Sequence, residues 1–352
     1  MTFSCGREDL SDIVKRLVLV IPPRPPVSAF GAIFFDGTCA TVYDGEVAAS
    51  ALCDLELYGG IDGKLLDKWL GTCSGETIKV EVEEQVVVFR CGRSRMKSAL
   101  LDPEMMVFEQ PKNPGTPLMH PLEIIEKMRT AAPFMGNDRV HTWRRGLTLL
   151  VDKGQVDLYA TDNVTMVHEH CKFEGEDSTL EAVLSPRFII LALAFSFDLD
   201  VEALEIADGW AQISFVDESM VFTRTGLDIS VDGYKDIIDS LYGEAGDFFP
   251  ITEEIIQAVS GVSEILKFTE EQECCLEISG NDLIVRTSDK AKAFAETPVD
   301  LGSHGHEDIL VWVTARELIR VLLAGTHMAL TRGAVVSEKE GITALVATAI
   351  TE

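Results

Sequence analysis

The chain has 352 residues, 46% of them hydrophobic, which is enough to bury the cores of two or three ordinary domains. Its 58 acids against 30 bases give a formal charge of −28, which argues against a broadly phosphate-binding surface. The eight cysteines form no CxxC pair, and no stretch nears the apolar length that spans a bilayer, so the expectation is a cytoplasmic globular protein with no zinc ribbon, redox motif or membrane partner.

From the N-terminus, REDLSDIVKRLVLV (from Arg7) carries acids in its first turn and Lys15 and Arg16 later, the order a helix dipole prefers, and so predicts a helix. TCATVYDGEVAAS around Asp44 reads as strand, polar turn and strand. DGKLLDKWLG from Asp62 follows as a second helix, and TIKVEVEEQVVVFRCG as alternating strands. A proline-rich connector, Pro111 to Pro117, then separates this segment from the next.

The same order returns with a helix in HPLEIIEKMRTAA from His120 and a turn in VDLYATDNVTMVHEHC, with Ala160 to Asn163 between two strands. SPRFIILALAF from Ser185 is its second helix, and LEIADGWAQISFV supplies strands. Past the polar stretch Tyr242 to Asp247 it returns again: PITEEIIQAVSGVSEILKF from Pro250, NDLIVRTSDKAKAF around Ser288, TARELIRVLLAG from Thr314, then HMALTRG and ITALVATAI. A spacing of about 120 to 130 residues is the length of a domain and not of a solenoid repeat. The chain is therefore expected to be α+β, with three domains of one design over 1–112, 113–245 and 246–352, each with antiparallel sheets and two helices.

Within that repeat the sequence resembles the bacterial sliding clamp, the beta subunit of DNA polymerase III, over nearly its full length. Arg90-Cys91-Gly92-Arg93-Ser94-Arg95 matches the family's R-x-G-R-S-R strand, and Tyr159-Ala160-Thr161-Asp162 matches its V-A-T-D turn. Arg24-Pro25, Gly146 and Tyr234 fall in order around them. There are departures: Asn163-Val164-Thr165-Met166 stands where the family continues with Gly, an aromatic or His, Arg and Leu. Likewise Leu345-Val346-Ala347-Thr348-Ala349-Ile350 stands near the family's terminal Met-Pro-Met-Arg-Leu. These hint at a divergent, phage-encoded member.

The resemblance implies the clamp fold: a homodimeric ring of head-to-tail chains, with sheets outside and helices facing a hole that encloses double-stranded DNA without reading its sequence. It also implies capture of DNA polymerase and clamp loader through short peptides, with no cofactor, no metal and no catalysis. Over 8–20, 62–71, 121–131, 185–195, 252–268 and 314–324 the six helices hold ten bases and eleven acids while the rest of the chain holds 20 and 47, so positive charge is partitioned toward them. A ring held by topology needs only such weak contacts to slide.

The DNA-facing candidates are Arg24, Lys64, Lys68, Lys127, Arg129, Arg187, Arg316 and Arg320, with Lys64, Lys68, Arg316 and Arg320 expected to be solvated. Thr142 and Trp143 join them, because an aromatic beside Arg144 and Arg145 can stack and pair with nucleic acid. The peptide groove implied by the resemblance comprises Thr161, Val164, Thr165, Met166, Ile237, Ile238, Leu345, Ala347 and Ala349, and is expected to be apolar but open. At the dimer joint, Met96 and Lys97 on an edge strand are expected to meet Ile265 and Leu266 of the other chain.

Two other functions compete. One is a clamp-like scaffold never loaded on DNA. The other is a metal-dependent enzyme built on His168 and His170, which stand two apart on a strand and so share a face. No spaced Asp, His or Cys set completes a ligand sphere around them, and no nucleophile elbow, phosphate loop or paired-carboxylate motif is present. Catalysis is therefore not expected.

Overall fold

The computed structural model describes residues 2–111, 115–136, 146–173, 179–207, 209–225, 232–269, 272–288, 293–302 and 308–348. The chain begins β1 (Thr2–Gly6), α1 (Arg7–Val18), β2 (Ala32–Asp36), β3 (Cys39–Tyr43), β4 (Val47–Leu52), β5 (Tyr58–Asp62), α2 (Gly63–Leu70), β6 (Thr77–Glu83), β7 (Val86–Cys91) and β8 (Ser94–Ala99). It continues with β9 (Thr116–Pro117), α3 (Pro121–Ala131), β10 (Leu147–Asp152), β11 (Gln155–Thr161), β12 (Thr165–Lys172), β13 (Thr179–Leu184), α4 (Pro186–Asp198), β14 (Val201–Ala207), β15 (Trp210–Phe215) and β16 (Met220–Arg224). After α5 (Asp232–Gly243) come β17 (Phe249–Pro250), α6 (Glu253–Leu266), β18 (Glu273–Ser279), β19 (Asp282–Arg286), β20 (Glu296–Asp300) and β21 (Ile309–Thr314). The chain closes with α7 (Ala315–Ala324), β22 (His327–Leu330), β23 (Ala334–Lys339) and β24 (Ile342–Ala347). Strand, helix, four strands, helix, three strands thus occurs three times, and the fold is α+β.

Three local expectations need correction. The polar stretch read as a boundary from Tyr242 begins inside an unexpected helix, α5, which runs to Gly243 because Ile238 and Leu241, three apart, share a face that packs on a core cluster. The turn expected over Ala160 to Asn163 is confined to Asp162–Val164, since pairing continues to Thr161↔Met166. Arg90 to Arg95 is a hairpin rather than one strand: Gly92, at φ +59°, turns β7 into β8.

By contacts the chain divides into two compact units that cut across the repeats, Met1–Ile125 with Arg187–Leu227, and Glu126–Pro186 with Asp228–Glu352. The first unit has an eight-stranded antiparallel sheet in the order β5-β2-β3-β4-β16-β15-β14-β9, and a four-stranded sheet β1-β6-β7-β8. Pairing of β4 with β16, from Val47↔Thr223 to Ser50↔Met220, fuses strands of two repeats and removes two exposed edges. Helix α1 buries Leu10, Val14 and Leu17 as one stripe and packs on α2, whose first turn is capped by Asp62 accepting from the Leu65 N–H at 2.8 Å.

The second unit repeats the plan, with β13-β10-β11-β12-β24-β23-β22-β17 and β20-β19-β18-β21. Here β12 pairs with β24 from Thr165↔Val346 to Glu169↔Ile342. Helix α6 buries Ile255, Val259, Val262 and Leu266, is capped by Thr252, and packs on α7. Gly146 enters β10 at φ +140°, where a Cβ would lie 2.3 Å from the Leu184 carbonyl oxygen, so no other residue fits. Among the described residues no helix is long and apolar enough to cross a membrane.

Candidate functional site

The turn at Asp162 is built by its own side chain. Asp162 Oδ1 accepts from the backbone N–H of Val164 (3.1 Å) and of Thr165 (2.7 Å) and from the Thr165 hydroxyl (2.9 Å), while Asn163 takes the left-handed conformation at φ +80° that Asn tolerates. Its second oxygen, Oδ2, accepts from Arg320 Nη1 at 2.7 Å, and Arg320 also pairs with Glu317 at 2.7 Å. Burial pushes the Asp162 carboxyl up, but the hydrogen bonds from Thr165, Arg320 and Val164 outweigh it and hold it below the usual carboxylate range.

The first unit carries the same clasp. Asp44 Oδ1 accepts from the N–H groups of Glu46 (2.9 Å) and Val47 (2.8 Å), and Arg187 Nε lies 3.2 Å from Asp44 Oδ2. Arg187 also donates to the Leu19 (2.7 Å) and Val20 (3.0 Å) carbonyls just past α1, satisfying acceptors the helix end leaves open.

Beside the Asp162 turn lie the residues expected to form a peptide groove. Met166, Ile238 and Leu345 form one buried cluster with Tyr159, Ala334 and Val336, against which Leu150, Leu241 and Phe248 pack. Thr161 and Thr165 are buried, and the Thr161 hydroxyl donates to the Thr165 carbonyl at 2.7 Å. The rim is exposed: Val164 at 42%, Ile237 at 48%, and Ala347, whose N–H donates to the Val164 carbonyl at 2.8 Å. The sequence positions are thus brought together, but the expectation of an open apolar floor is corrected, because Met166 is only 6% exposed. Ala349 lies outside the described residues. Sequence reasoning missed Tyr159 and Val336 as floor residues, although Tyr159 alternates with Thr161 along β11.

The candidate cations fall into two groups. Lys64 donates to the Pro22 carbonyl at 2.6 Å, Lys127 lies 3.1 Å from buried Glu169, and Arg187 and Arg320 hold the two turns. The expectation that Lys64 and Arg320 are solvated is therefore corrected, since both are half-buried on intrachain partners. Arg24, Lys68 and Arg316 are exposed and pair with no acid among the described residues, and exposed Arg129 has only a neighbour on its own helix, Glu126 at 3.1 Å. Thr142 and Trp143 lie outside the described residues.

At the expected dimer joint, β8 is the edge of its sheet. Lys97 is exposed and Ile265 half-buried, but Met96 and Leu266 are corrected to inward-facing, each being buried within its own unit. Phe268, 85% exposed just past α6, is the large apolar side chain that sequence reasoning missed there.

A third cluster comes from strand register. Because β11 and β12 place Asp157 opposite His170 and Tyr159 opposite His168, all four side chains share a face. Asp157 Oδ1 is 2.7 Å from His168 Nε2 and 3.1 Å from His170 Nδ1, while its Oδ2 accepts from Gln155 Nε2 at 2.7 Å. Burial raises the Asp157 carboxyl, yet bonds from His168, Gln155 and His170 hold it low. Tyr159 stacks on His168, with centroids 4.5 Å apart and an interplanar angle of 2°. Sequence reasoning missed Asp157 as a third group beside the two histidines; no fourth completes the set among the described residues.

No protein-family model and no curated protein matches the sequence. Solved structures do match. The Bacillus subtilis DNA polymerase sliding clamp aligns over 100% of both chains with a TM-score of 0.84 at 13% identity. The DNA polymerase III subunit beta of Pseudomonas aeruginosa aligns over 100% of both at 0.85 and 17%. The Helicobacter pylori beta clamp bound to a DNA ligase peptide aligns over 100% of both at 0.83 and 15%. The chain has the fold of the bacterial DNA polymerase III beta sliding clamps.

Proposed function

We propose that this chain is a DNA sliding clamp, a non-enzymatic processivity factor that encircles duplex DNA and tethers a polymerase, a clamp loader and other factors. The observation that carries this reading is the end-to-end likeness to bacterial clamps together with an element order that occurs three times. In this reading the repeats are clamp domains over 1–112, 113–245 and 246–352, and two cytoplasmic chains close a ring of six. The DNA-facing set is reduced to the exposed cations: Arg24, Lys68 and Arg316, which pair with no acid among the described residues, and Arg129, whose pair is Glu126 on its own helix. Partner peptides, of the kind the Helicobacter clamp holds, dock over the rim at Val164, Ile237 and Ala347.

Retention on nicked circular DNA tests this. Wild-type protein should co-elute with the circle and be released when the circle is cut, with any residual affinity for linear DNA weak and falling steeply with salt. Changing Arg24, Lys68 and Arg316 to Glu should preserve the melting temperature and reduce retention and processive synthesis at least several-fold. Equal behaviour on circles and linear fragments would instead favour an unloaded scaffold, a reading supported by the internal engagement of Lys64, Lys127, Arg187 and Arg320.

Ring closure is tested separately. Ile265→Lys with Phe268→Lys places charge at a half-buried position in the last turn of α6 and at an exposed one just past it, so each chain should still fold while the solution mass falls to one 38.6 kDa chain. A double variant that kept the mass of two chains would place the joint elsewhere.

A further inference from the structure

We propose that Asp157, His168 and His170 bind one divalent transition-metal cation of the zinc, nickel or cobalt class. The ligating atoms of the three side chains all lie within 4.8 Å of one another. Two imidazole nitrogens and one carboxylate oxygen are the donor set such cations take, whereas magnesium and calcium prefer oxygen ligands. This site does not depend on the clamp reading.

The spacing suits a metal. Ligand atoms of a tetrahedral site with bonds near 2 Å stand about 3.3 Å apart. Asp157 Oδ1 is 2.7 Å from His168 Nε2 and 3.1 Å from His170 Nδ1, so small outward side-chain rotations make room for an ion where ring hydrogens now point. Each ring then carries its proton on its other nitrogen, and the Asp157 carboxylate offsets one of the ion's two charges, leaving a single positive charge that water in the adjoining cleft can solvate. The donors are also held in place: β11 and β12 fix all three backbones in register, Gln155 holds the far carboxylate oxygen, and Tyr159 fixes the His168 ring. Such outer support orients metal ligands.

The site is reachable. A cleft of about 580 Å³ is lined by His168 and His170, and its walls include Tyr242, His327 and Glu338. It leaves room for water or a further protein ligand at the open coordination position. Competing thiol sites are disfavoured, because burial pushes Cys5 up to about 11 and Cys53 and Cys274 up to about 12.

The test is calorimetric titration of the full chain with Zn²⁺ alone, paired with Co²⁺ absorption spectra. One equivalent should bind, and Co²⁺ should give visible bands without the sulfur-to-metal charge transfer that thiolates produce. Asp157→Asn, His168→Gln and His170→Gln should each weaken binding by roughly tenfold or more, while Cys171→Ser should leave it unchanged. His170 is 35% exposed at its side chain, so His170→Gln keeps the test open even if the more buried variants fold poorly. Absence of binding, a thiolate spectrum, or unchanged affinity in His170→Gln would each overturn the site.

Discussion

Met166→Lys is expected to lower stability by about 3 to 5 kcal/mol and to melt the second unit near ambient temperature. The change removes a 94% buried side chain from the cluster of Tyr159, Ile238, Val336 and Leu345 and puts an unpaired ammonium in its place. Val164→Lys and Ile237→Lys are the contrasting cases. Both positions are about half exposed, so their melting temperatures should stay within a few degrees of wild type. If a partner peptide's Leu or Phe anchors settle over this rim, each worth roughly 1.5 to 3 kcal/mol on burial, the rim variants should lose tenfold or more in affinity for a polymerase-tail peptide. Fluorescence anisotropy and thermal melts separate the two effects. A stable Met166→Lys protein would mean the floor opens in solution, and rim variants with normal peptide affinity would mean the groove is misplaced.

Arg320→Glu should be the most damaging change among the candidate cations, at about 3 kcal/mol. It sets a carboxylate beside Asp162 and Glu317, whose pairs with Arg320 now measure 2.7 Å each. The figure is reduced from that of a fully buried pair because Asp162 and Arg320 are each 21% exposed at their side chains. Acid pH gives a sharper signature. Asp162 is held below its usual range, so it contributes stability that is present above its unfolded value and lost as pH falls through its folded value. The gap in denaturant midpoint between wild type and Arg320→Glu should therefore be widest near neutrality and shrink below about pH 4. Comparing the two proteins cancels carboxylates that titrate alike in both, including Glu169, which burial shifts the other way. A gap that stayed constant from neutral to acid pH would remove Asp162 as the cause.

The sequence by itself determined six of the helices, though not α5, together with the α+β class and the threefold order. Acids early and bases late in a helix, a 3.6-residue apolar period and polar turns at Asp44 and Asp162 are signals within ten or twenty residues, and each element forms where they occur. That Met166, Ile238 and Leu345 lie near one another was also legible, by resemblance to clamps, and they do meet in one buried cluster. What the sequence could not state was which side chains face each other across long loops. Arg187 reaches Asp44 over 143 residues and Arg320 reaches Asp162 over 158, and only those contacts turn two apparent DNA ligands into turn clasps. The joining of Asp157 to two histidines needed the register of β11 on β12, and a slip of one residue would turn that face away. The closed floor under Met166 needed α5 and β24 packed around it, and the two units arise because β4 pairs with β16 and β12 with β24. Local pattern fixes what each segment becomes, while burial and pairing between distant segments fix which charges are already satisfied and which are left to meet a partner.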